Sequence, residues 1–328
     1  MHILITGGCG FIGKRLTRTL LARGSLDAGR GAQPIERITV FDVAAADGLP
    51  DDPRLVVRTG DVSAPDALAD AAGGPVDGIF HLAAVVSGAA EADFDLGMRV
   101  NLDGTLRVLA FARAQPRPVR LVFASSVAAY GGELPDELFD GIRVTPQTSY
   151  GTQKVIGELL YADATRKGLL DGRCLRLPTI VVRPGRPNAA ASSFASGILR
   201  EPLNGEDCVC PVPPETGIFV LSPARVVAAF IRAFELPADE WGWDRVLQLP
   251  GITVTVRETL DALAEIAGPE VAARVRFEPD STIMYIVRTW PVRFRTPRAE
   301  AMGFEADPDI GTIIRMHIDD ELGGRVPG

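Results

Sequence analysis

The chain is poor in the residues that build metal clusters and disulfide frameworks. Four cysteines (Cys9, Cys174, Cys208 and Cys210) form no CxxC pair, and three histidines (His2, His81 and His317) are scattered. That spacing predicts no metal site and reads as free thiols in a reducing compartment. Lysine is as scarce: Lys14, Lys154 and Lys167 are the whole supply in 328 residues. Acidic residues exceed basic ones, 42 to 34, for a formal net charge of -8. Such a chain repels phosphate backbones and anionic headgroups, so neither nucleic acid nor membrane is an expected partner. No uncharged run approaches the roughly 18 residues that cross a bilayer, and no cationic stretch precedes an apolar leader. A cytoplasmic protein is expected. Low-complexity tracts and fixed-period repeats are also missing, which excludes fibres and solenoids.

What the chain does have is apolar mass: 46% of its residues are hydrophobic, enough for a large core in one or two packed domains. Short apolar, β-branched runs bounded by Gly, Asp or Pro recur at 2–6, 37–42, 55–58, 78–83, 121–125 and 173–177. Helical patterns at 11–23, 64–72, 93–114 and 149–167 separate them. Alternation of this kind predicts an α/β fold, a doubly wound parallel sheet covered on both faces. Beyond Pro178 the regularity fades into a Pro-rich passage with an apolar helix at 189–199. Helical and strand-like patterns return at 223–236 and 245–249 before a helix beginning near Val256. The expected organisation is a dinucleotide-binding domain over 1–180, with returning segments near 216–250. A smaller, discontinuous C-terminal substrate lobe takes 181–215 and 251–328.

The turn between the first strand and first helix reads Thr6-Gly7-Gly8-Cys9-Gly10-Phe11-Ile12-Gly13. Gly7 suits a tight turn, Gly10 admits a pyrophosphate against bare backbone, and Gly13 allows close helix packing, with the helix N-terminus facing the phosphate. A glycine triplet alone is weak evidence. Here a strand precedes it, a helix follows, and Asp42 ends the second strand, as a Rossmann-type fingerprint requires. Asp42 can accept from both adenosine ribose hydroxyls, and no Lys or Arg occurs from Val43 to Pro53 to neutralise a 2′-phosphate. The cofactor expected is therefore NAD rather than NADP.

Tyr150 and Lys154 stand at i and i+4, on one face of a helix. With four tyrosines and three lysines, chance supplies a YxxxK roughly 0.04 times. A free phenol titrates near pH 10, and both Lys154 and an oxidised nicotinamide favour its phenolate, making Tyr150 a usable base. Ser125 and Ser126 end the fifth strand, at the carboxyl edge where open α/β sheets hold ligands, and either hydroxyl can orient a substrate there.

TGGCGFIG, HLAA (81–84), NLDGT (101–105), SSVAAYG and YGTQK together resemble the extended branch of the short-chain dehydrogenase/reductase superfamily, over the full length. The resemblance implies Tyr150 as acid/base, Lys154 holding the nicotinamide ribose, and Ser126 positioning the reacting oxygen, with Ser125 sharing that role. It also implies Phe11 and Ile12 beside the phosphates, Asp61 and Val62 at the adenine, and Leu82, Ala83 and Ala84 under the cofactor. Asn101 becomes a site-ordering residue, and Pro178 and Ile180 face the carboxamide.

The segments RPNAAASSFASGILREPLNGED, PGITVTVRETLDAL and RAEAMGF are similar to a group in that branch that oxidises four-carbon sugar acids with NAD. This resemblance implies a small polar sugar acid oxidised at C2, with Ser87, Ser126, Arg183, Asn188, Ser192 and Ser193 as candidate contacts. A nucleotide-sugar epimerase that recycles bound NAD is the alternative enzyme, and a non-catalytic NAD sensor or scaffold is the alternative outside catalysis. Dehydratases of the branch place a carboxylate beside the active-site hydroxyl, whereas Val127 follows Ser126 here. Finally, Val155, Ile156, Leu159, Leu160, Tyr161 and Ala162 make the Tyr150 helix apolar on nearly every side, which predicts a partner helix from a second subunit and hence a homodimer.

Overall fold

A computed structural model describes residues 1–185 and 192–326, and the chain divides into two compact units. The first comprises Met1–Ala129, Pro146–Arg176 and Val227–Gln248. Its centre is a seven-stranded sheet: β1 (His2–Thr6), β2 (Arg37–Asp42), β3 (Leu55–Thr59), β4 (Gly78–His81), β5 (Arg120–Ser126), β6 (Asp171–Leu177) and β7 (Val246–Gln248), in the order β7-β6-β5-β4-β1-β2-β3. The β1–β2, β1–β4, β2–β3, β4–β5 and β6–β7 pairs are parallel. Ile3, Leu4 and Ile5 are wholly buried, as a strand covered on both faces demands.

Helices α1 (Phe11–Arg23), α2 (Ala67–Ala72), α3 (Gly104–Arg113), α4 (Ser149–Arg166) and α5 (Pro223–Glu235) supply those covers. On one face Leu4, Ile79, Leu121 and Phe123 pack with Leu68 of α2, Val108 of α3 and Tyr161 of α4. On the other, the Phe80 ring lies 5.3 Å from Phe234 of α5. The strand order reverses beside β1, so ligands belong at the carboxyl ends of β1 and β4. The expected helix over 93–114 runs from Phe94 to Arg113, with a π-helical turn at Met98–Asp103 inserted between Phe94–Gly97 and α3.

The second unit comprises Tyr130–Thr145, Leu177–Val226 and Leu249–Gly328. In it Gly217–Leu221 pairs antiparallel with Ile252–Thr255 and parallel with Thr179–Ile180. Helices Ser193–Leu203, Val256–Ala267 and Ile310–Leu322 bury Ile198, Leu199, Leu263, Ile313 and Ile314 in one core. Thr255 and Glu258 form a reciprocal capping box that fixes the start of Val256–Ala267. Residues 130–145, placed by sequence with the first domain, group with this unit. The reason is backbone pairing: Leu138 donates to the Arg293 carbonyl, and Arg295 donates to that of Leu138. The divisions fall after Arg176, Val226 and Gln248, whereas sequence placed them at 180, 216 and 250.

Candidate active site

The glycine turn is set by sterics. Gly7 has φ of 72° and sits so close to the chain after β4 that a Cβ would come 2.6 Å from the Ala83 nitrogen and 2.8 Å from the Leu82 carbonyl carbon. A Cβ on Gly13 would meet Gly8 Cα at 2.5 Å. Side chains at these positions would push α1 off β1 and separate the turn from Leu82–Ala84. Gly10 caps α1 without a side-chain hydrogen bond, and no acidic residue occupies the first turn. The leading amides of Phe11, Ile12 and Gly13, with the positive end of the helix dipole, suit an incoming pyrophosphate.

At the end of β2, Asp42 accepts from the Cys9 amide at 2.9 Å and the Ala44 amide at 3.0 Å, one on each carboxylate oxygen. Both oxygens retain lone pairs, so the carboxylate is oriented by the turn and still able to receive ribose hydroxyls. Next along the sheet edge, Asp61 accepts from the Ser63 amide and hydroxyl, and these bonds hold its carboxyl below the usual range. Val62 is buried and fills the space beside Gly104.

Beneath the turn lies a network of which the sequence singles out only Asn101. Thr105 donates to the Asn101 carbonyl at 2.7 Å, which leaves its oxygen to accept from His81 Nε2 at 3.2 Å. His81 Nδ1 is then the acceptor for Thr6 Oγ1 at 2.7 Å. Burial, reinforced by the charge of Lys154, pushes His81 down to about 3, so it is a neutral strut between β1, β4 and α3. Asn101, placed by the π-helical turn, accepts the Val85 amide at 2.9 Å and donates to Gln153 Oε1 at 2.8 Å. The loop following β4, and with it Ser87 at the start of helix Ser87–Ala92, is thereby tied to the helix that carries Tyr150.

Helix α4 begins at Ser149 under a Thr148 cap that accepts the Gly151 amide. Gly151 lies against the turn after Ser126: a Cβ there would stand 2.9 Å from the Ala128 carbonyl carbon. The absence of that Cβ lets the Tyr150 end of α4 approach the carboxyl end of β5. Lys154, 3% exposed, donates to the Ala124 carbonyl at 2.8 Å and stands 4.8 Å from the Phe123 ring centre and 5.4 Å from that of Tyr150. Desolvation lowers it from the usual 10.5 to about 8, against the opposing pull of Glu158.

The two serines part ways. Ser125 is buried and donates to Glu158 Oε1 at 2.5 Å. Ser126 is only partly buried and accepts the Ala128 amide at 3.1 Å. Glu158, the Arg176 it binds, and Gln153 carried no role in the sequence reading. The i, i+4 spacing of Lys154 and Glu158 was the available signal.

Pro178, Ile180, Arg183, Ser192 and Ser193 belong to the second unit. The Arg183 amide donates to Ser196 at 3.0 Å, and its carbonyl accepts from Arg200 at 2.8 Å. Ser192 caps helix Ser193–Leu203. Asn188 lies outside the described residues. Among those described, no cluster of three metal-ligating side chains occurs, and no helix is long and apolar enough to cross a membrane.

The model of the NAD dependent epimerase/dehydratase family matches residues 3–214. A D-erythronate dehydrogenase of Cupriavidus necator is 51% identical over 320 residues, covering 98% of each chain. A second, from Haemophilus influenzae, is 42% identical over 98% of this chain and 100% of its own. Among solved structures, one described as a nucleoside-diphosphate-sugar epimerase from Agrobacterium tumefaciens superposes with a TM-score of 0.92 at 42% identity, covering 100% of this chain and 96% of that one.

Proposed function

Since the chain belongs to the NAD-dependent epimerase/dehydratase family and is an NAD-dependent oxidoreductase, we propose that it oxidises the C2 hydroxyl of a small sugar acid, D-erythronate or a near analogue, to the 2-oxo acid. The observation that carries the chemistry is Lys154, fixed to the Ala124 carbonyl beside Ser126 and sharing a helix with Tyr150. The near full-length likeness to two D-erythronate dehydrogenases supports the substrate.

The bare glycine turn and the oriented Asp42 carboxylate fit NAD. Gly7, Gly10 and the amides of Phe11, Ile12 and Gly13 hold the pyrophosphate, Asp42 the adenosine ribose, and Asp61 and Val62 the adenine. Leu82, Ala83 and Ala84 line the floor, Asn101 orders it, and Pro178 and Ile180 meet the carboxamide. Bound there, NAD supplies the hydride acceptor. Tyr150 takes the proton of the C2 hydroxyl while Ser126 holds that oxygen, and Lys154 stabilises the phenolate by charge. Ser125, already committed to Glu158, acts from behind. Ser87, Arg183, Asn188, Ser192 and Ser193 are assigned to the acid, with the Arg183 guanidinium for its carboxylate.

D-erythronate with free NAD, followed by reduced-nicotinamide absorbance, tests the reaction. Tyr150→Phe lowers kcat by about 10² to 10⁴-fold while NAD affinity stays within a few-fold of wild type. Full turnover in that variant refutes the assignment. The likeness to the Agrobacterium tumefaciens structure, described as a nucleoside-diphosphate-sugar epimerase, favours a second reading, epimerisation of a nucleotide-sugar with retained NAD. Net consumption of free NAD separates the two. Leu159 on α4, 66% exposed, supports a homodimer that covers this side of the helix.

A further inference from the structure

Glu158 is a buried carboxylate one helical turn beyond Lys154, 2% exposed, and it carries no part in the proton transfer described above. Three bonds fix it. Arg176 of β6 donates to it twice, Nε to Oε1 at 2.8 Å and Nη2 to Oε2 at 2.7 Å, and Ser125 of β5 donates to Oε1. Arg176 is itself anchored, its carbonyl accepting from Gln248. A two-pronged Arg–carboxylate pair is rigid, and a buried pair of this kind is poor evidence of selection for stability alone.

Lys154 meets several groups around that carboxylate. On its own helix stand Tyr150 and Glu158. Neutral His81 faces it from β4 and Cys174 from β6, with the Cys174 thiol pushed well up by burial, while Arg176 of β6 is bound to Glu158. The stretch of β5 that it touches carries the Phe123 ring and the Ala124 carbonyl. Glu158 is the one carboxylate within this set, and its field opposes the desolvation of the ammonium.

We propose that Glu158 is a positioning residue whose fixed negative charge keeps Lys154 an ammonium in its dry setting, with Arg176 and Ser125 locking the carboxylate in place. The catalytic consequence rests on the Tyr150–Lys154 reading. Without Glu158, Lys154 loses its proton nearer neutrality, and the alkaline limb of the rate profile moves down.

Only three lysines are present, so a chain labelled with ¹³C at lysine Cε gives three resonances, and Lys154→Met identifies the one of interest. Titrating wild type and Glu158→Gln reads the ammonium directly, without turnover. The expected result is a downward shift of the Lys154 midpoint in Glu158→Gln, and a matching downward move of the alkaline limb of kcat/KM. Glu158→Asp, which keeps the charge, recovers most of both. Should Glu158→Gln not fold because Arg176 loses its partner, Glu158→Gln combined with Arg176→Met removes both charges and still lowers the midpoint. An unmoved Lys154 midpoint in the folded variant overturns the proposal. A moved midpoint with an unmoved rate profile supports it and overturns the catalytic reading of the Tyr150–Lys154 pair.

Discussion

Replacing Lys154 by methionine separates what the residue does for the fold from what it does for chemistry. The side chain is 3% exposed and depressed from 10.5 to about 8 by burial, with Glu158 partly opposing. That fall corresponds to about 3 kcal/mol of folding free energy spent at neutral pH on holding a desolvated ammonium. Methionine fills a similar volume without charge and loses the bond to the Ala124 carbonyl, worth about 1 kcal/mol. At pH 7 the variant should therefore unfold at higher urea than wild type, by about 1 to 2 kcal/mol, while its turnover collapses. The pH dependence carries the sharper test. Between pH 8 and 10.5 the unfolded lysine holds a proton that the folded one has released, so wild-type stability rises with pH in that window. Below pH 8 both forms are protonated and the penalty is fully present. Lys154→Met lacks this titration, and His81, which burial keeps neutral, does not titrate in this window in either protein. The stability difference, wild type minus variant, should thus climb by about 2 kcal/mol from pH 7 to 9.5. Urea unfolding at half-unit pH steps measures it. A flat difference would mean that Lys154 does not titrate in the folded protein as its burial requires, and the electrostatic account of the pair would fail with it.

Three further outcomes follow from other parts of the molecule. Asp42→Ala removes both the ribose acceptor and the partner of the Cys9 and Ala44 amides, so the KM for NAD should rise about 10- to 100-fold with a smaller change in kcat; equal affinity by calorimetry would remove Asp42 from the cofactor site. At the other end of the sheet, burial would raise Asp171, but the hydrogen bond and charge of Arg173, with Arg245 and Arg120, outweigh it and hold the carboxyl low. Asp171→Ala leaves three arginines around one lost carboxylate and should cost about 3 to 5 kcal/mol in denaturant unfolding, whereas a loss under about 1 kcal/mol would show those arginines to be satisfied by carbonyls alone. Leu159→Glu places a charge on the exposed apolar face of α4 and should yield monomers in sedimentation at micromolar concentration, with the far-ultraviolet circular dichroism spectrum unchanged; a dimer in that variant refutes the proposed interface.

The parts legible in the sequence are those whose physics is local. Consecutive buried residues such as Ile3, Leu4 and Ile5 announce a strand covered on both faces, and the glycine turn declares itself because each missing Cβ answers a clash within a few residues or with the neighbouring strand. Tyr150 and Lys154 are readable because an i, i+4 pair needs only a helix. Where the answer depends on a distant partner, the pattern falls silent. Ser125 and Ser126 have the same chemistry and adjacent positions, and strand alternation says only that they face opposite ways. Which faces inward is decided by Glu158, 33 residues on, and Glu158 is in turn held by Arg176 from another strand. The π-helical turn at Met98–Asp103 escaped for the same reason, since it exists to aim Asn101 at Val85 and Gln153, 16 and 52 residues away. Residues 130–145 carry no periodic signal and take their place from backbone pairing with residues 293–295. The long-range bonds that sequence reasoning missed thus hold each of the legible elements at its working angle. A variant at Glu158, Gln153 or His81 is accordingly expected to alter the chemistry of Tyr150 and Lys154 while leaving the motif that carries them intact.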